Sequence, residues 1–183
     1  MKRILHILIV MTLVFSVGVT VYADEVSDAM DAVDKAEASL LQADVTDAEA
    51  LVALVPESET KNVLTSRLNA VQSIITNQVA PAEAAVLQAE TTLLQADVTS
   101  AQPPVDSLPP SAAKTALLLR LSAVQDIINA TATAAVATAE TSLLQADVNT
   151  AQPLVTALTD GTVKTGLQTR LDVVQDLVDA KAL

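Results

Sequence analysis

One phrase is written three times in this chain: SLLQADV from Ser39, TLLQADV from Thr92 and SLLQADV from Ser142. A fixed period is the signature of repeat architecture, so it restricts the fold more than any local propensity. Glu37, Glu90 and Glu140 stand just ahead of the phrase, and Arg67, Arg120 and Arg170 open a second shared phrase, R-L-x-x-V-Q. The first and second copies are 53 residues apart, the second and third 50. Within each copy Arg follows Glu by 30 residues, and Lys61, Lys114 or Lys164 follows it by 24. Register inside the copies is therefore constant. The length difference falls at the first junction, where Thr76-Asn77-Gln78 has no counterpart after Ile128. The implied domains are residues 24–78, 79–128 and 129–183.

Each copy carries three stretches in which apolar residues recur at intervals of three and four, the spacing of an amphipathic helix. The first stretch reads Val26, Ala29, Val33, Ala36, Leu40; the second Leu41, Val45, Ala48, Val52, Val55; the third Leu64, Leu68, Val71, Ile75. Counterparts run through Leu93, Leu94 and Leu108 in the second copy and Leu143, Leu144 and Leu158 in the third. The expected fold is all-α: three tandem three-helix bundles, a spectrin-like array joined by near-continuous helices, after an N-terminal signal peptide.

Turn chemistry separates the second and third stretches at Pro56-Glu57-Ser58, Pro109-Pro110-Ser111 and Thr159-Asp160-Gly161. The break between the first and second stretches falls on the repeated phrase. There Ser39, Thr92 and Ser142 precede Gln42, Gln95 and Gln145 by three residues, the pattern of a capping box. The rival reading is one uninterrupted helix, since Leu, Gln and Ala all favour helix. No turn signal separates one copy from the next, so the junctions read as continuous helix, with Pro81 a source of a kink. Pro103, Pro104 and Pro153 fall inside second helices, where a missing N–H is expected to bend or restart them.

The chain opens MKRILHILIVMTLVFSVGVTVYA: two basic residues, an apolar run and a V-x-A ending. This is a secretory signal, residues 1–23, with cleavage between Ala23 and Asp24. The run is long enough that retention as an anchor is the alternative, and that anchor would be the one route to a membrane. Once the signal is removed the chain has no aromatic residue, histidine or cysteine. Serine–histidine and cysteine–histidine nucleophiles, imidazole or thiolate metal sites and disulfides are thereby excluded. So are the aromatic platforms on which single-stranded nucleic acid stacks. Eight basic residues against 22 acidic ones leave a net charge of −14, which repels phosphate backbones and anionic lipid. No nucleic-acid partner, cofactor or metal is expected, and no enzymatic activity.

Other clusters have plainer readings. The Glu37/Lys61/Arg67 set, with Glu90/Lys114/Arg120 and Glu140/Lys164/Arg170, suits ion pairs that set helix register better than a catalytic group. Asp24, Glu25, Asp28, Asp31 and Asp34 lack the loop of a calcium site, and acid near a helix start is favourable in itself. Thr131, Thr133 and Thr138 do not keep the regular spacing of an ice-binding face. A carboxylate pair for acid catalysis would need a concave pocket, which rods of this type rarely supply.

The segment ADVNTAQPLVTALTDGTVKTGLQTRLDVVQDLVDA, Ala146 to Ala180, resembles the helical repeat of secreted and surface proteins of Gram-positive bacteria. That repeat is related to a helical domain in the C-terminal half of the insecticidal crystal delta-endotoxins of bacilli. The Q-A-D-V entry, the A-L-x-D-G-x-x-K-T turn and the R-L-x-x-V-Q-D helix carry the resemblance. The first two copies match more loosely, with Pro56 and Pro109-Pro110 in place of the Asp-Gly turn. The resemblance implies a spacer or protein-interaction module, secreted and associated with the cell envelope, with a protein or cell-wall component as partner. No sorting signal near the C-terminus and no lipobox cysteine is present, so, unless a retained signal anchors it, the protein is expected to be released or held by noncovalent contact. A toxin-like or membrane-active factor is the alternative, opposed by the charge and by the lack of interfacial aromatics.

Overall fold

The structure, a computed structural model, describes residues 23–181. The signal peptide and its anchor alternative lie outside the described residues, apart from Ala23, which with Asp24 opens the first helix. The described chain is helical throughout, with turns between helices and no strand. Helix α1 covers residues 23–39, α2 Gln42–Leu54, α3 Glu59–Ile74, α4 Ala80–Thr92, α5 Gln95–Asp106, α6 Ala112–Ser142, α7 Gln145–Ala157 and α8 Thr162–Lys181. None of them is long and apolar enough to cross a membrane.

Two junctions behave differently, for a reason visible in the sequence. Helix α6 runs unbroken for 31 residues through Asn129-Ala130-Thr131. Between α3 and α4 the backbone instead widens into a π-helical segment, Ile75–Val79, in which the Ala80 N–H donates to the Ile75 carbonyl. The three extra residues, Thr76-Asn77-Gln78, sit inside this wide turn and are exposed, while Ile75 and Val79 on either side are buried. A wide turn is how a helix takes up inserted residues without breaking. Pro81, which has no N–H to donate, follows where the hydrogen-bond ladder returns to α spacing.

The expected proline breaks do not occur. Helix α5 continues through Pro103 and Pro104, and α7 through Pro153. Proline removes the bond to the carbonyl four residues back, here Thr99 for Pro103 and Asn149 for Pro153. Those residues, like Pro103 and Pro153 themselves, are exposed, so each lost bond falls on the solvated side of its helix, where it costs least.

The described chain divides into two compact units, one of residues up to 80 with 108–115, the other of residues 81–107 with those from 116 on. In the first, Ala29, Val33 and Ala36 of α1, Val45, Ala48 and Val52 of α2, and Leu64, Leu68 and Val71 of α3 are buried. In the second, one core cluster joins Ala132, Val136 and Ala139 of α6 to Val148, Ala151 and Val155 of α7 and Leu167, Leu171 and Val174 of α8. Small alanines and valines allow close approach of the helix backbones, and burying each larger aliphatic contributes about 1.5–3 kcal/mol.

Four leucines of the expected seams are not in the core. Leu41, Leu94 and Leu144 are 42, 57 and 58% exposed, and Leu93 is 42% exposed. For the first three the cause is the corner between helices.

Candidate functional site

The repeated phrase is a corner. In each copy the first leucine, Leu40, Leu93 or Leu143, has a left-handed backbone with φ of 53°, 53° and 50°. Its N–H donates to the carbonyl of Ala36, Ala89 or Ala139 at 2.9 Å, closing the preceding helix. This is the αL helix stop, in a residue type for which that conformation costs about 1–2 kcal/mol. The second leucine is extended, with φ of −101°, −96° and −105°, and is the N-cap of the next helix. Extended backbone at this point turns its side chain away from the seam, which explains the exposure of Leu41, Leu94 and Leu144; Leu93 shares the backbone of buried Leu40, and its exposure has no such cause.

The capping box does not form, although the corner does. Leu41, Leu94 and Leu144 occupy the N-cap and offer no side-chain acceptor. The hydroxyls of Ser39, Thr92 and Ser142 instead accept from the leucine N–H two residues on, at 3.2, 3.3 and 3.2 Å. True serine caps occur at the other break, where Ser58 and Ser111 each accept from the Lys61 or Lys114 N–H at 3.2 Å.

Two contacts fasten each corner to the helix that follows 30 residues later. Arg67 is bidentate to Glu37, with Nε to Oε1 at 2.7 Å and Nη2 to Oε2 at 2.6 Å. Arg120 grips Glu90 at 2.8 and 2.7 Å, and Arg170 grips Glu140 at the same distances. Five residues on, paired glutamines exchange amide hydrogen bonds: Gln42 with Gln72, Gln95 with Gln125, and Gln145 with Gln175. The constant offset ties both sides of the corner, the end of one helix and the first residue of the next, to a single later helix: Arg67 and Gln72 both lie on α3, Arg120 and Gln125 on α6, Arg170 and Gln175 on α8.

The lysines of the sequence set lie elsewhere. Lys61 Nζ meets Glu57 at 2.9 Å and the Ala53 carbonyl at 3.3 Å, Lys114 Nζ meets the Leu108 carbonyl at 2.9 Å, and Lys164 Nζ meets Asp160 at 2.9 Å. Six residues separate Lys from Arg on one helix, about 9 Å of rise, so one carboxylate cannot serve both.

Electrostatics follow the contacts. The hydrogen bond from Arg120 holds the Glu90 carboxyl below its ordinary range, and Arg170 does the same for Glu140. The three arginines are held above their ordinary value by the same carboxylates, with Asp34 assisting at Arg67. Asp44 is lowered by hydrogen bonds from Lys35, 2.7 Å away, and from Ser39.

Sequence reasoning missed the αL leucines, the glutamine pairs and the aspartate of the phrase. Asp44 is buried against Lys35, and Asp97 accepts the Thr92 hydroxyl at 2.5 Å. The signal for the glutamines was present, since Gln42 and Gln72 repeat the 30-residue spacing of Glu37 and Arg67.

Among the described residues no three His, Cys, Asp or Glu side chains come together as a metal would need. Asp34 is in the Arg67 ion pair, apart from the rest of the acidic stretch. A shallow groove of about 250 Å³ lies between the third corner and α8, lined by Leu143, Val173, Val174 and Leu177 beside Glu140 and Arg170. Comparison of the chain with protein families, with characterised proteins and with solved structures finds no match.

Proposed function

We propose that this is a secreted, non-enzymatic protein of the Gram-positive cell envelope, in which three tandem three-helix bundles act as a spacer or protein-interaction module. The observation that supports it is the threefold recurrence of one fastening, αL leucine, Glu/Arg pair and Gln/Gln pair. A catalytic constellation has no reason to be written identically three times, whereas a scaffold requires the same joint at every unit. Repeats of this size bury too little to be robust alone, and neighbours in tandem supply the remainder. The resemblance of Ala146–Ala180 to envelope repeats points to the same use.

The experiment is expression of the full chain in a Gram-positive host, with fractionation and N-terminal sequencing. The protein is expected in the medium or envelope with Asp24 at its N-terminus. Retention inside the cell with Met1 intact would overturn the reading. Efficient leakage of lipid vesicles would favour a membrane-active factor instead.

A further inference from the structure

The apolar surface of the third repeat is not uniform. On α8, Val173 and Leu177 lie one turn apart and are 55 and 48% exposed, although a solvated helix face needs neither. With half-buried Leu143 on the facing wall they form the groove of about 250 Å³. The counterparts of Val173 in the other copies are Ala70 and Ala123, so only the third copy has a large aliphatic at the middle of this strip.

Acidic groups outnumber cations around the strip, where Lys181 stands one turn beyond Leu177 at the end of α8. Asp172, Asp176 and Asp179 are exposed along α8 beside it. Arg170, the cation at the groove, is committed to Glu140 through two hydrogen bonds. A second copy would bring the same three carboxylates against this edge, on a chain whose net charge is already −12. The complementary occupant presents aliphatic side chains at helical spacing and flanks them with cations.

We propose that the Leu143/Val173/Leu177 groove is a docking site for a basic amphipathic helix of a partner protein. Aliphatic side chains of that helix enter the groove, and its lysines or arginines pair with Asp172, Asp176 and Asp179. This rests on reading the protein as an interaction module and names the chemistry of what it binds.

The test titrates a labelled Leu/Lys helical peptide of about 18 residues, some 27 Å long, into the full chain at about 0.15 M salt. A Leu/Glu peptide of the same pattern and a scrambled Leu/Lys peptide are run beside it. Saturable binding of the patterned Leu/Lys peptide alone is expected, weakened about tenfold or more by V173S/L177S and severalfold by D172N/D176N/D179N. Ile127→Ser, on the equivalent strip of the second repeat, should leave it unchanged. All these positions are exposed, and circular dichroism of each variant confirms that it folds. Equal binding by V173S/L177S, equal binding of either control peptide, or no binding would overturn the proposal. So would self-association that V173S/L177S abolishes, which would make a second copy the occupant. None of these outcomes touches secretion or the processing at Asp24, so the broader reading stands or falls separately.

Discussion

Gln95 and Gln125 face each other across 30 residues of chain, each side-chain amide donating to the other's carbonyl oxygen at 2.8 Å. Gln95 is buried, so the exchange is how its amide is satisfied. Removing one partner strands the other. Gln125→Leu is expected to cost about 1–3 kcal/mol in urea unfolding, whereas Q95L/Q125L recovers most of the loss. Additive losses in the double variant would mean the pair is not coupled.

Leu40 and Leu93 share a left-handed backbone but differ in burial, 3 against 42% exposed. Glycine relieves the strain at both sites and forfeits much more contact at the first. Leu40→Gly should therefore be less stable than Leu93→Gly by about 2 kcal/mol, with Leu93→Gly near the parent protein. A loss of about 1 kcal/mol or more in Leu93→Gly, the cost of glycine in a helix, would contradict the left-handed assignment.

Pro153 lies in the interior of α7 on its exposed side. Alanine there restores a backbone donor and a strong helix former, against a gain in unfolded-state entropy of up to about 1 kcal/mol. Pro153→Ala should raise the melting temperature by several degrees. A fall would mean that the proline ring packs or bends the helix to a purpose.

Acid should loosen the Glu/Arg fastenings. Glu90 and Glu140 are depressed chiefly by hydrogen bonds from Arg120 and Arg170. A depressed carboxyl contributes stability that is whole above its unfolded value, about 4.3, and is lost as pH falls through the folded value. The melting-temperature difference between the parent and Glu90→Gln should hold from about pH 7 to 5 and shrink below about pH 4. At neutral pH it should correspond to no more than about 1 kcal/mol, because the pair is partly solvated. A difference that persists unchanged at low pH would remove the ion pair as its source.

The helices were legible because aliphatic residues at intervals of three and four leave few other ways to bury a seam, and Val45, Ala48 and Val52 fall where that spacing puts them. The unbroken α6 was legible from the lack of any turn chemistry around Asn129. The geometry of the corner was not. Ser39 and Gln42 satisfy the capping pattern, but Leu40 turns left-handed, ends α1 early and makes Gln42 the first residue of the next helix. Leucine is a poor choice for that conformation, so no residue-type rule selects it. Lys61 misled for a different reason: constant spacing reports constant register, not contact. Pro103 and Pro153 break a rule whose cost depends on solvent access, and access is a property of the packed face.

The central claim is that the phrase beginning at Ser39, Thr92 and Ser142 is a left-handed leucine corner and not a passage of helix. Backbone carbon shifts and amide contacts by NMR at Leu40-Leu41, Leu93-Leu94 and Leu143-Leu144 test it directly. The account predicts helical shifts on both sides, interrupted at all three leucine pairs by one left-handed and one extended residue. Uninterrupted helical shifts from Glu37 through Ala48 and across the two equivalent stretches would contradict it.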